Sequence, residues 1–181
     1  MTELSLHILD IVQNSIKAKA TLVKILITED TYENVFVIEV SDNGVGMSKD
    51  FLAHAADPFV TTRTTRKVGL GLSLLKAAAL QTGGSFDIFS TPGMGTTVRA
   101  VFVHDSIDRQ PLGDMASTMA TLISCNPKVD FYYHHKYDGQ EFSFQTPDVK
   151  KVLGDVYIGE QNVLNWISEY IEEGIDHLHG F

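Results

Sequence analysis

Cysteine is nearly missing from this chain: Cys125 is the one thiol in 181 residues, which excludes a disulfide framework and a cysteine-built metal site. No apolar run reaches the length that spanning a bilayer requires. The opening MTELSLHILD has neither the basic start nor the cleavage pattern of a signal peptide, so the expected location is the cytoplasm. Positive charge is scarce too, with 14 Lys and Arg against 23 Asp and Glu, a net charge of −9. That balance argues against a duplex nucleic acid partner, which calls for a basic face. A nucleotide ligand stays open, because a few local cations and free glycine amides suffice for phosphates. Repeats and low-complexity segments are absent, and so is the GK[ST] of a P-loop.

What is present suits one sizeable core plus a small appendage, with 44% apolar and 20% charged residues. Residues 4–18 read as an amphipathic helix whose apolar face holds Leu4, Ile8, Leu9, Ile11, Val12 and Ile16. The opposite stripe carries Glu3, His7, Asp10, Asn14 and Lys17. LVKILIT (22–28) and VFVIEV (35–40) read as strands joined by a turn. Ser48 is placed to cap a short helix that Asp57-Pro58 ends. FVTTRTTRKV (59–68) shows no period and reads as a loop, and a helix follows from Gly69 to Gln81. SFDIFS and TTVRAVFVH form a strand pair across PGMG. This order predicts an α+β layer, an antiparallel-rich sheet covered on one face by helices. Beyond a connector at 105–114, a helix (115–125), a hairpin around Asp138-Gly139 and two helices follow. The predicted division is residues 1–104 and a C-terminal α+β extension, 105–181.

Three places carry chemistry. SDNGVGM (41–47) ends a strand in Asp42, with Gly44 and Gly46 beyond, and the chain then enters a helix instead of turning back. A strand-end carboxylate can accept from an exocyclic amine such as N6 of adenine, and the glycines are expected to leave room for the base. On the first helix, the amide oxygen of Asn14 suits Mg²⁺, and Lys17 one turn on can reach a phosphate. Gly69-Leu70-Gly71 opens a helix whose free amides favour an anion. Leu74 stands where a dinucleotide fingerprint needs glycine. A ligand with a base at one end and phosphates at the other would use all three.

LDIVQNSIKAKA, DNGVGM, DPFVTTRTTRKVGLGLS and TPGMGTTVRAVF occur in the order and spacing of the GHKL ATPase superfamily, and residues 4–103 resemble its ATP-binding domain. The resemblance implies a Bergerat-type two-layer sandwich of a mixed, mostly antiparallel sheet covered by helices. It also implies ATP and Mg²⁺ as ligands. Asn14 then matches the metal ligand, Lys17 the phosphate-contacting lysine and Asp42 the adenine-binding aspartate, with Gly44, Gly46 and Met47 beside the base. Phe59 to Lys67 resembles the ATP lid, including Thr61 and Thr62. Gly69, Leu70 and Gly71 match the second glycine box, and Gly93, Gly95 and Thr96 the final one, whose threonine helps close the adenine side.

Where the ATP-hydrolysing branches carry a general-base glutamate, this chain has Asp10, the candidate catalytic residue. Aspartate is roughly 1.5 Å shorter, and attack geometry is unforgiving on that scale. The implied activity is γ-phosphoryl transfer to a protein partner in signalling, as in histidine kinases. A MutL-like ATP-driven machine and a non-catalytic ATP sensor are the alternatives, and a homodimer is compatible with each. His7 is expected to be exposed or behind the site, which leaves the phosphoacceptor on another protein. His134 and His135 should point to opposite faces of a strand and share no metal. His177 and His179 are expected to be solvated, Cys125 buried, and Trp166 with Tyr170 to anchor the tail in a core.

Overall fold

Alternating burial along Val23, Ile25, Ile27 and Glu29 shows one face of the first strand turned inward, and the same period recurs in its neighbours. The computed structural model describes residues 2–57 and 68–181. Within them the chain runs α1 (Leu4–Lys17), β1 (Leu22–Asp30), β2 (Val35–Asp42), α2 (Lys49–His54), α3 (Val68–Gln81), β3 (Ser85–Thr91) and β4 (Gly95–Val103). It continues with α4 (Met115–Cys125), β5 (Asp130–Tyr137), β6 (Gln140–Gln145), α5 (Thr146–Leu153) and α6 (Gln161–Leu178). The strands form one six-stranded sheet in the order β3-β4-β2-β1-β5-β6. Only β1 and β5 pair in parallel; the other neighbours are antiparallel. This is the α+β two-layer sandwich expected from the sequence, and residues 105–181 add β5 and β6 to the same sheet.

Register fixes which residues face the helices. Ile27 pairs with Ile38 and Ile38 with Ala100, while Phe36 pairs with Glu29 and Phe102. These residues lie on the buried face with Phe131 and Tyr133 of β5. Leu4, Ile8, Ile11 and Val12 of α1, Leu75 of α3, Met115 and Met119 of α4, and Ile167 and Ile171 of α6 close over them. Each large side chain so buried stabilises by about 1.5–3 kcal/mol. The tight turns follow local chemistry. Asp138 and Gly139 both have positive φ (44° and 85°), as a type I′ hairpin requires. Ser48 accepts from the Phe51 N–H at the start of α2, and Asp114 accepts from the Ser117 N–H at the start of α4.

Several expectations are corrected. β2 runs on through Ser41 and Asp42, because Asp42 is paired on both sides, with Val23 and with Thr96. His7 is buried, 2% exposed, since the connector crosses the start of α1: the Leu4 N–H donates to Pro111 O, the Ser5 N–H to Leu112 O, and His7 Nε2 lies 3.0 Å from Gln110 Oε1. Cys125 ends α4 and is exposed. Trp166 and Tyr170 stack on each other, centroids 5.2 Å apart, where α6 faces β6 and α5; Tyr170 also packs on Phe142 and Phe144, yet both remain half-exposed. Ile167 and Ile171, one position further round, do the anchoring. His177 is exposed as expected, but His179 packs between Tyr137 and His135 and reaches Glu29. Among the described residues no helix is long and apolar enough to cross a membrane.

Candidate functional site

Burial of Ile8, Ile11, Val12 and Ser15 turns one flank of α1 toward the first turn of α3. On that flank Asp10, Gln13, Asn14 and Lys17 line a cavity of about 190 Å³ with Leu70, Gly71 and Leu74. Asp10 and Asn14 are half-buried and Lys17 is exposed. A Cβ at Gly71 would stand 3.3 Å from the Asp10 Cβ and 3.6 Å from its Oδ2. The glycine therefore lets the start of α3 lie against the aspartate. One helix flank thus offers a carboxylate, an amide oxygen and an ammonium to the end of α3 where amides are unpaired.

Asp42, at the end of β2, is bonded to the same helix. The Ser15 hydroxyl donates to Asp42 Oδ2 (2.6 Å) and the Gly44 N–H donates to Oδ1 (2.8 Å). Each carboxylate oxygen keeps acceptor capacity beyond these bonds. Ser15 follows Asn14 directly, so this bond ties the strand-end carboxylate to the helix bearing Asp10, Asn14 and Lys17. Thr96 lies opposite Asp42 in the ladder, with its Oγ1 2.8 Å from Ser90 Oγ. The Met47 N–H donates to the same Ser90 Oγ (2.8 Å), and the Gly93 N–H donates to Val45 O (2.7 Å). The DNGVGM loop is thereby stitched to the β3–β4 turn.

The glycines of this loop have a task that differs from the expected one. At Gly44 an added Cβ would lie 2.7 Å from Ala18 O, and at Gly46 (φ 71°) it would meet Thr91 O. At Gly95 (φ 117°) it would meet Asp42 O. Backbone, not open space, fills those positions, so the glycines first permit main chain to approach main chain. The surface beside Asp42 then owes its shape to the packed loop as a whole.

The structure thus brings together Asp10, Asn14, Lys17, Leu70 and Gly71 around one cavity, and Asp42, Gly44, Met47 and Thr96 around one loop, joined through Ser15. Phe59, Thr61, Thr62 and Lys67 lie outside the described residues, and Gly69 is in the first turn of α3. Ser15 and Ser90 were missed by sequence reasoning. Ser15 carried a signal, a polar residue on the apolar stripe of α1 beside Ile8, Ile11 and Val12. A second, larger cavity of about 560 Å³ lies between β6, α5 and α6, but its lining includes neither a glycine nor a cation. It lacks what a polyphosphate requires.

A family model described as "Histidine kinase-, DNA gyrase B-, and HSP90-like ATPase" matches residues 2–106. The "Non-motile and phage-resistance protein" of Caulobacter vibrioides is 34% identical over 100 residues, 50% of this chain and 12% of that protein. The "Histidine protein kinase DivJ" of the same organism is 36% identical over 95 residues (50% and 16%). "Sporulation kinase D" of Bacillus subtilis is 35% identical over 91 (50% and 18%). The chain spans less than a fifth of the length of each. In fold it is similar to the "Aquifex aeolicus MutL ATPase domain complexed with ADP", with TM-score 0.52 and 16% identity over 84% of this chain and 69% of that one. The "N terminal domain of a DNA repair protein" gives TM-score 0.57 and 18% identity, covering 87% and 59%.

Proposed function

Because this chain belongs to the histidine kinase-, DNA gyrase B- and HSP90-like ATPases, we propose that it binds ATP with Mg²⁺ and passes the γ-phosphate to a partner protein. The observation that carries the reading is the 2.6 Å bond from Ser15 to Asp42, which couples the adenine-type carboxylate to the phosphate-facing flank of α1. In this reading Asp42 accepts from the adenine amine, with Met47 and Thr96 flanking the base. Lys17 and the first amides of α3, from Gly69 to Gly71, hold phosphate oxygens. Asn14 and Asp10 fit Mg²⁺, since both offer hard oxygen atoms to one cavity. The ion's chemistry, when bound, is to neutralise charge on the phosphates. An acceptor on the partner forms a bond to the γ-phosphorus as the bond to the β,γ-bridging oxygen breaks, and ADP leaves. Division of the chain into a nucleotide-binding part (1–104) and an extension (105–181) that engages the partner belongs to the same proposal.

Asp10 supports a second reading. Its shorter side chain packs beside Gly71, so a water-orienting role at glutamate reach is lost and the protein acts as a nucleotide sensor. Purified protein with γ-labelled ATP and Mg²⁺, alone and with candidate partners, separates the outcomes. Label on a partner supports transfer, and saturable binding without transfer or release supports the sensor. Free phosphate supports an ATP-driven machine, and absence of saturable binding overturns the site itself.

A further inference from the structure

Four side chains distant in sequence meet at the opposite end of β1. Glu29 Oε1 lies 2.7 Å from His135 Nε2 and 3.0 Å from His179 Nε2, while Oε2 lies 3.0 Å from His104 Nε2. His135 is fully buried, the Glu29 side chain is 8% exposed and that of His179 27%.

Counting protons on His179 exposes a mismatch. Its Nδ1 is 3.0 Å from Ile175 O, and a carbonyl only accepts, so the ring hydrogen belongs on Nδ1. A neutral ring then turns its Nε2 lone pair toward Glu29 Oε1, which also only accepts. Either a second ring proton or a cation reconciles two acceptors at that distance. The surroundings favour the cation, because each of three candidate ligands already has an outer partner. Glu29 Oε2 is met by His104, His135 Nδ1 by the Tyr133 hydroxyl (2.9 Å), and His179 Nδ1 by Ile175 O. Outer partners of this kind orient metal ligands and fix their tautomers.

We propose that Glu29, His135 and His179, whose ligand atoms all lie within 4.8 Å of one another, form a binding site for a divalent transition ion of the zinc type. Two imidazoles and a carboxylate suit Zn²⁺ and leave a position for water, and the exposed edge of His179 marks the route in. The ion clips the C-terminal cap of α6 to β1 and β5. Along β1 the site lies six residues from Val23, the partner of Asp42, or about 20 Å. It is separate from the hard-oxygen cavity at Asp10 and Asn14 and does not depend on nucleotide binding.

The full chain, tag-free and stripped with a chelator, is titrated with Zn²⁺ by calorimetry and with Co²⁺ in the visible, with and without Mg·ATP. The expected result is one ion per chain, the intense d–d bands of four-coordinate Co²⁺, and the same affinity in either condition. His179→Ala, at a partly exposed helix cap, weakens binding beyond the roughly 10–100-fold that loss of an outer partner costs, and His104→Gln falls within that range. His177→Ala, an exposed neighbour, binds as wild type. Unfolding in chelator verifies that each variant folds. Absence of stoichiometric binding to the wild-type chain overturns the proposal, and so does a His179→Ala titration that superimposes on wild type.

Discussion

β1 joins two clusters of opposite construction. At the Asp42 end the side chains come from short contiguous stretches, 10–17, 42–47, 69–71 and 90–96, each marked by glycine or by helical spacing. At the Glu29 end they come one at a time from positions 29, 104, 135 and 179, with no motif around any of them. The first cluster is built by backbone: Gly44, Gly46 and Gly95 exist so that main chain can touch main chain. The second is built by register alone, since Glu29 and His135 face the same layer only because β1 and β5 pair in parallel with Ile27 opposite His135. A constraint on the backbone leaves a trace in composition, whereas a meeting of side chains across a sheet does not.

If the two ends are independent, variants should separate stability from nucleotide affinity. The largest expected effect is at the distal end. His135→Leu leaves the Glu29 carboxylate short of a buried donor and the Tyr133 hydroxyl without its nitrogen partner. Breaking one side of a buried polar pair predicts a loss of about 3 kcal/mol. Urea unfolding in chelator measures it, and ATP affinity should stay within about twofold of wild type, well under 1 kcal/mol. A large change in affinity at unchanged stability would join the two ends and break the comparison.

A smaller effect is expected at the near end. Asp42→Asn replaces a charged acceptor by a neutral amide, and a hydrogen bond to charge is worth about 1.5–3 kcal/mol, so ATP affinity should fall about 10- to 100-fold. Stability should change by less than about 1 kcal/mol, because the Ser15 hydroxyl can turn from donor to acceptor toward the new amide. Calorimetric titration with ATP and denaturant unfolding on the same sample test both halves. A loss of stability without loss of affinity would make Asp42 a structural residue.

The sheet, its helices and the Asp42 loop were legible because hydrophobic period and turn chemistry are local properties. Strand alternation placed β1 to β4, and Asp138-Gly139 announced the β5–β6 hairpin. Parallel pairing of β1 with β5 was not legible, since nothing in VDFYYHH names its neighbour, and with it went the meaning of His135. His179 read as a frayed end because its partner lies 150 residues away. His7 read as a member of the polar stripe of α1, and only the connector folding back over that helix makes it an interior residue.

That connector yields the smallest effect, one of sign rather than size. Gln110 Oε1 can only accept, so His7 Nε2 carries the hydrogen between them. His7 Nδ1 is buried, with no hydrogen-bond partner among the described residues. A second proton would have to sit there, away from water. Burial therefore lowers the His7 pKa below 6.5, with the chain's amino terminus acting in the same direction, while the Gln110 bond and Asp10 oppose it. Below 6.5 the unfolded chain takes up a proton that the folded chain refuses, so stability rises with pH across that window. It is complete above 6.5 and falls as pH drops toward the folded value. His7→Gln removes the titrating group, so the slope of unfolding free energy against pH should be shallower than wild type below 6.5 and unchanged above it. An identical slope in both proteins would mean that the connector opens freely over α1, and the helix bearing Asp10 and Asn14 would then be held from the sheet side alone.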